Sequence, residues 1–249
     1  MKSINDIILI IPARVNSSRI VKKMIRPIYN TNLFEITLKK ALQSKIPIEN
    51  IYAAVGDEEL IQIARNNKIN IFYRSTKSIN TDGFLINCEK TTEWFSDLSK
   101  EKKYFMIINA CQPFLTVNTI NNFIDYFLKS ENKSLISVKL NKNYYWNPDK
   151  ELNIDNFDTK AFDSFIFNTK YVKESYLASH SLQIGLLDDI KNKIWLGTFK
   201  KNDPELFLVE DEETFDIDYP WEFEMAKLKY EFYNSTNTFS FNLNPSDAS

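Results

Sequence analysis

Glycine is the first shortage: four residues in 249, set against an abundance of Asn, Lys and Ile. That bias carries little functional meaning, but the glycine–lysine pattern of a Walker loop is missing, which disfavours an ordinary P-loop NTPase. Histidine is scarcer still. His180 is the only one, so no histidine-based triad, zinc site or multi-histidine cluster can be built within one chain, and it reads as a surface or packing residue. Cys88 and Cys111 are too few for a disulfide framework and lie outside any CxxC pattern. Cys111 lacks cationic neighbours in sequence and reads as a packing thiol. Charge of one sign is lacking as well. A formal net charge of −2 gives no overall attraction for nucleic acid or an anionic membrane. Long apolar runs are missing too: Ile7 to Ile11 is a strand's length, not a bilayer's. With no charged-then-apolar leader, the expectation is a soluble, cytoplasmic protein without nucleic-acid or membrane partners.

What is present is an α/β alternation. Hydrophobic residues make up 43% and charged residues 26%, ordinary for a globular chain. Continuous apolar runs at Ile7–Pro12, Ile51–Val55, Ile69–Tyr73 and Tyr104–Ile108 suit strands buried on both faces. Between them fall helical segments at Leu33–Leu42, from Asp57 onward, and at Thr81–Leu98. Ile120, Phe123, Ile124, Phe127 and Leu128 then share one helical face. Ser134–Leu140, Ser164–Phe167 and Ile194–Phe199 read as later strands. Trp221, Met225, Leu228 and Phe232 mark a final helix, with Asp218 as N-cap and Pro220 in the first turn. Strands alternating with helices imply a mostly parallel sheet in a single domain. Ligands of such sheets bind beyond the carboxyl ends of the strands, here after Ile11, Val55, Tyr73 and Ile108. The tail from Asn234 is polar and reads as frayed.

One of those ends carries the densest chemistry. From Arg14 to Arg26, five cations (Arg14, Arg19, Lys22, Lys23, Arg26) and the hydroxyls of Ser17 and Ser18 occupy thirteen residues. Guanidinium forks, a lysine point charge and hydroxyl donors are what a triphosphate needs, and in phosphoryl transfer the protein chiefly positions groups and stabilises charge. A solvated basic loop between a strand and a helix fits the same residues equally well. Far along the chain, Asp216 and Asp218 flank Ile217. In an extended segment they point to one side and can hold Mg²⁺, a hard cation that prefers oxygen ligands. Helix capping within an acidic stretch, Glu210 to Glu213, also accounts for them.

A family resemblance decides between these readings. The string Pro12-Ala13-Arg14, then Ser17, Arg19-Ile20 and Lys23, is similar to the opening signature of the sugar-acid cytidylyltransferases, and Ile25-Arg26-Pro27-Ile28 resembles the branch of CMP-sialic acid synthetases. The resemblance continues through Ile51–Leu60, Tyr73-Arg74, Thr81-Asp82, Ile107–Thr116 and the D-x-D-x-P element at Phe215–Pro220. It implies a three-layer α/β/α nucleotide-diphospho-sugar transferase-like (Rossmann-like) domain with a mixed, mostly parallel sheet, a homodimer, and at 141–162 either a dimerisation arm or an acceptor-binding insertion. It also implies CTP and a sialic acid-like nonulosonic acid as substrates, Mg²⁺ as cofactor, and Arg14, Lys23, Asp216 and Asp218 as the catalytic set. Nucleotide binding would fall to Arg14, Asn16, Ser17, Ser18, Arg19, Lys23, Arg74, Asp82 and Asn109, acceptor binding to Gln112 and Phe162, and the metal to Asp216 and Asp218. The rival acceptors are a Kdo-like acid or a phosphonate. A non-catalytic nucleotide-binding homologue is the rival of another class. The chain departs from the family at Met24, where an Asn is usual, at Val55-Gly56 in place of Thr-Asp, at Leu115 in place of an Arg, and at Cys111, where the Kdo branch has a metal-binding Asp.

Overall fold

The computed structural model describes residues 2–80, 89–143, 169–190, 192, 194 and 197–236. Its centre is β1 (Ile7–Pro12), five of whose six residues are buried. A strand alternates its side chains across the sheet, and β1 shows why both faces had to be apolar. Ile7, Leu9 and Ile11 enter one core, whereas Ile8 and Ile10 enter a second core on the opposite face.

Around β1 the sheet has seven strands in the order β5-β4-β1-β6-β8-β7-β9. β4 (Ile51–Val55) and β6 (Tyr104–Ile108) flank β1 in parallel, and β5 (Asn70–Tyr73) lies parallel outside β4. The far half is mixed. β8 (Ser175–Leu186) runs antiparallel to both β6 and β7 (Leu135–Asn141), and β9 (Glu205–Leu208) closes the edge parallel to β7. A two-residue pair, β2 (Pro27–Ile28) with β3 (Thr31–Asn32), leads into the first helix.

Helices cover both faces. α1 (Leu33–Leu42), α2 (Glu58–Asn66), α5 (Val117–Lys129) and α7 (Pro220–Thr236) supply the larger core, through residues such as Phe34, Leu60, Phe123 and Phe223. α4 (Glu89–Leu98) and α6 (Leu187–Ile190) supply the smaller one through Phe95, Leu187 and Ile190. α3 (Thr76–Ile79) is a single turn after β5. The expected three-layer α/β fold with a mixed, mostly parallel sheet is thus the one observed. Among the described residues no helix is long and apolar enough to cross a membrane.

Several local expectations need correction. Residues 194 and 197–199 are not in a strand; the late strands are instead β8 and β9. The final helix forms, but it buries Phe223, Ala226 and Tyr230, and leaves Trp221, Met225, Leu228 and Phe232 at 54% exposure or more. Its N-terminus is not capped by the Asp218 carboxylate. Glu222 accepts from the N–H groups of Asp218 and Tyr219, which leaves Asp218 to face the site. Residues 81–88, Ser164–Phe167, nearly all of the expected arm at 141–162, and 237–249 lie outside the described residues.

Candidate active site

The carboxyl ends of β1, β4, β5 and β6 open on one edge of the sheet, and the basic loop begins where β1 ends. Ala13 still pairs with the sheet through its N–H to Ala54 O at 3.1 Å. Val15 then donates to Asp57 Oδ2 at 2.9 Å. That bond engages Asp57, which makes no side-chain cap on α2. The loop is pinned from below by two apolar side chains, Ile20 and Met24, both in the larger core. Met24 therefore works as a packing anchor. Tight turns, with Lys22 at φ 53°, carry the cations between those anchors.

Those cations reach the late aspartates. Lys23 is only 8% exposed; its ammonium donates to Ile217 O at 2.5 Å and lies 3.4 Å from Asp218 Oδ1. Arg19 Nη2 stands 2.8 Å from the same oxygen, and Arg26 Nη2 lies 3.0 Å from Glu224 Oε1 at the start of α7. The exposed pairs of Arg19 and Arg26 contribute little stability. Their value is positional: residues almost two hundred apart in sequence share one cleft. Ser17 Oγ accepts from Ile20 N at 3.5 Å, while Asn16 and Ser18 are exposed. Arg14 Nη1 donates to Ile79 O at 3.3 Å.

Asp216 sits deeper. Its pKa is raised, first by burial and then by the charge of Asp218, against the opposing pull of Lys23, His180 and, least, the Gln112 amide. Its Oδ1 is buried without a hydrogen-bond partner, and its Oδ2 lies 3.5 Å from Asn109 Nδ2. An orphaned carboxylate oxygen beside a second carboxylate suits a hard cation. Among the described residues no cluster of three or more His, Cys, Asp or Glu could hold a metal, so two protein oxygens would be completed by water and phosphate, as Mg²⁺ prefers.

The remaining candidates divide between lining and support. Asn109 extends β6 by donating its N–H to Ser181 O at 3.0 Å, and its Oδ1 accepts from Cys111 N at 2.9 Å. The Cys111 thiol has its pKa pushed up, chiefly by burial, which suits a packing role. Arg74 is buried, with its guanidinium donating to Ala13 O at 3.0 Å, Ser78 Oγ at 3.0 Å and Ser78 O at 2.7 Å; it braces the end of β1 from α3. Gly56 makes room for that brace, since a Cβ there would lie 2.6 Å from Arg74 O and 2.8 Å from Ile79 Cγ2. Gln112 is 2% exposed and donates to Ser179 O at 2.6 Å. Asp82 and Phe162 lie outside the described residues.

Of two further residues, the sequence reads His180 as a surface or packing residue and does not single out Lys40. His180 is exposed on β8 with φ 56°, and its charge is one of those that oppose the rise in the Asp216 pKa. Being the sole imidazole was its only sequence signal. Lys40, on the inward face of α1, is fully buried, donates to Pro113 O, and has its pKa brought down to about 7 by burial, with Glu213 opposing. Nothing in its sequence context distinguishes it from the neighbouring Lys39.

The family described as cytidylyltransferase matches residues 8–189. The chain is 29% identical over 130 residues to a 3-deoxy-manno-octulosonate cytidylyltransferase of Rickettsia felis, across 51% of this chain and 49% of that one, so it spans about half of that relative's length. To the protein of the same description from Rickettsia typhi it is 26% identical over 206 residues, across 82% and 76% of the two chains. Among solved structures, a CMP:2-keto-3-deoxy-manno-octonic acid synthetase complexed with CTP superposes with a TM-score of 0.61 at 12% identity, covering 91% of this chain and 98% of the other. At that identity the likeness is one of fold.

Proposed function

This chain belongs to the cytidylyltransferase family, and we propose that it transfers CMP from CTP to an acidic sugar with release of pyrophosphate. The observation that carries the reading is the meeting of Lys23 and Arg19 with Asp218, and of Asp218 with Asp216, at the carboxyl ends of the central strands. In the reaction an acceptor hydroxyl oxygen bonds to the α-phosphorus while the bond between that phosphorus and the β-phosphate bridge breaks. The hydroxyl proton passes to solvent.

Each residue has a part that follows from its position. Lys23 and Arg19 exchange the Asp218 carboxylate for phosphate oxygens and balance the charge that gathers on the leaving pyrophosphate. Arg14, Asn16, Ser17 and Ser18 line the same loop and offer further donors to the phosphates. Asp216 and Asp218 would hold Mg²⁺, which supplies charge neutralisation at the phosphates when bound. Asn109, beside Asp216, faces the nucleotide or the acceptor. Arg74 acts by bracing the loop, and Asp82 and Phe162 would contribute to nucleotide and acceptor binding.

The acceptor is the finer question. The opening signature favours a sialic acid-like nonulosonic acid, whereas the relatives' descriptions favour an octulosonate such as Kdo. Both are sugar acids whose carboxylate would sit near His180. A homodimer is part of the same proposal, tested by sedimentation, where a species of twice the chain mass is expected. The central test is pyrophosphate release with CTP, Mg²⁺ and a panel of nonulosonic and octulosonic acids. Release with one class assigns the acceptor. No release with any of them, together with no CTP binding by calorimetry, would leave the non-catalytic homologue as the reading.

A further inference from the structure

β8 contains a bulge that buried side chains hold in place. Between the pairs Ile136↔Gln183 and Val138↔Ala178, the single residue Ser137 of β7 faces four residues, 179–182, of β8. Ladder groups freed by such a bulge must find other partners. Ser137 Oγ accepts from Leu182 N at 2.8 Å and from Ser179 Oγ at 2.7 Å. Gln112 Nε2 donates to Ser179 O at 2.6 Å, and Ser181 Oγ donates to Gln112 Oε1. Ser137, Ser179, Ser181 and Gln112 are each 5% exposed or less. Burying this many polar groups is tolerated only when all are paired, and a fully paired network then specifies one backbone path.

The path it specifies takes His180 through φ 56°, a left-handed conformation that strains a non-glycine residue. Such strain persists where the surroundings enforce it. Here the enforcing side chain is Gln112, which grips the residues on either side of His180. The next bond outward joins Ser181 O to Asn109 N at 3.0 Å, and the Asn109 amide lies 3.5 Å from Asp216 Oδ2.

We propose that Gln112 is a positioning residue: by holding both shoulders of the bulge it keeps His180 in its left-handed turn, on the Asp216 side of the cleft, where the carboxylate of the acidic acceptor is received. Gln112 then acts on the acceptor through His180 rather than by touching it. The last clause rests on the transferase reading; the positioning itself does not.

The sole histidine makes the idea measurable, because its imidazole Cε1–H gives a single resonance by NMR. In otherwise native protein without nucleotide or acceptor, Asp216→Asn should move that resonance. In Gln112→Met, which keeps the volume and removes the bonds to Ser179 and Ser181 together with the amide's contact to Asp216, the same substitution should leave it unmoved. Ser181→Ala, which removes only the bond to Gln112 Oε1, is the second variant should Gln112→Met fail to fold, and should diminish the response. In the transferase assay, Gln112→Met should raise the acceptor KM at least about tenfold with the CTP KM nearly unchanged. His180→Ala should add little to that loss in the double variant. An imidazole that answers Asp216→Asn equally with and without Gln112 overturns the positioning claim. So does a parallel rise in both KM values, which marks general loosening. If no sugar acid is turned over, the transferase reading fails on its own and the NMR comparison still decides this one.

Discussion

Lys40 and Asp216 each carry a charge that their surroundings resist, with opposite consequences for titration. Burial brings the Lys40 pKa down to about 7, below its ordinary value in an unfolded chain. Below pH 7 both states hold the proton and the burial penalty is present in full. Between pH 7 and about 10 the folded chain has released a proton that the unfolded chain keeps, so stability rises with pH across that window. Urea melts should show wild type gaining on the order of 2 kcal/mol from pH 7 to pH 9 relative to Lys40→Met; equal slopes would contradict a neutral buried amine. Asp216 is the functional counterpart. Its carboxyl is held above the ordinary range by burial and by Asp218, so the ionised form is strained without a cation. Asp216→Asn, measured in metal-free buffer, should raise Tm by about 2–4 °C while transferase activity drops at least about 100-fold. A lowered Tm would mean that the orphaned oxygen is paired after all.

Elements near the site are fitted to one another, and Gly56 is the tightest joint. It follows β4, and a methyl there would press on Arg74 O and Ile79 Cγ2 at 2.6 and 2.8 Å. Gly56→Ala should cost about 1–3 kcal/mol by denaturant unfolding, because backbone on one side leaves little room to yield. Unchanged stability would show that α3 moves freely. This joint also marks how far the sequence could be read. Strands buried on both faces announce themselves as apolar runs, so β1, β4 and β6 were legible to the residue, and so was the face of α5 carrying Ile120, Phe123, Ile124 and Phe127. β8 was not, since Ser179, His180, Ser181 and Gln183 interrupt any alternation and its bulge changes the register midway. β9 is four residues long on the sheet edge, too short for a period to register. In α7 the conspicuous apolar stripe is the exposed one, and the buried face is written in the less conspicuous Phe223, Ala226 and Tyr230. The cations and carboxylates of the site were legible as residues, but their supports, Lys40, Gln112 and the serines, are polar groups whose burial only the fold determines.

Across the whole molecule, the cleft joins the first strand's loop to the segment preceding the last helix, and a ligand bound there should stabilise the entire cooperative unit. At a concentration of CTP one hundred times its dissociation constant, binding contributes about 2.7 kcal/mol, or roughly 5–10 °C in Tm for a chain of this size. Lys23→Met should abolish most of that shift in a thermal melt; a full shift in the variant would remove Lys23 from the nucleotide site. Arg19 and Lys23 meet Asp218 across the molecule, and that meeting has a consequence for biosynthesis. A nascent polypeptide displays its cations early and must wait for some two hundred further residues before their carboxylate counterparts leave the ribosome. A chain interrupted anywhere in that interval holds one half of the pair alone, so the two sets of charges can meet only after both segments have been made.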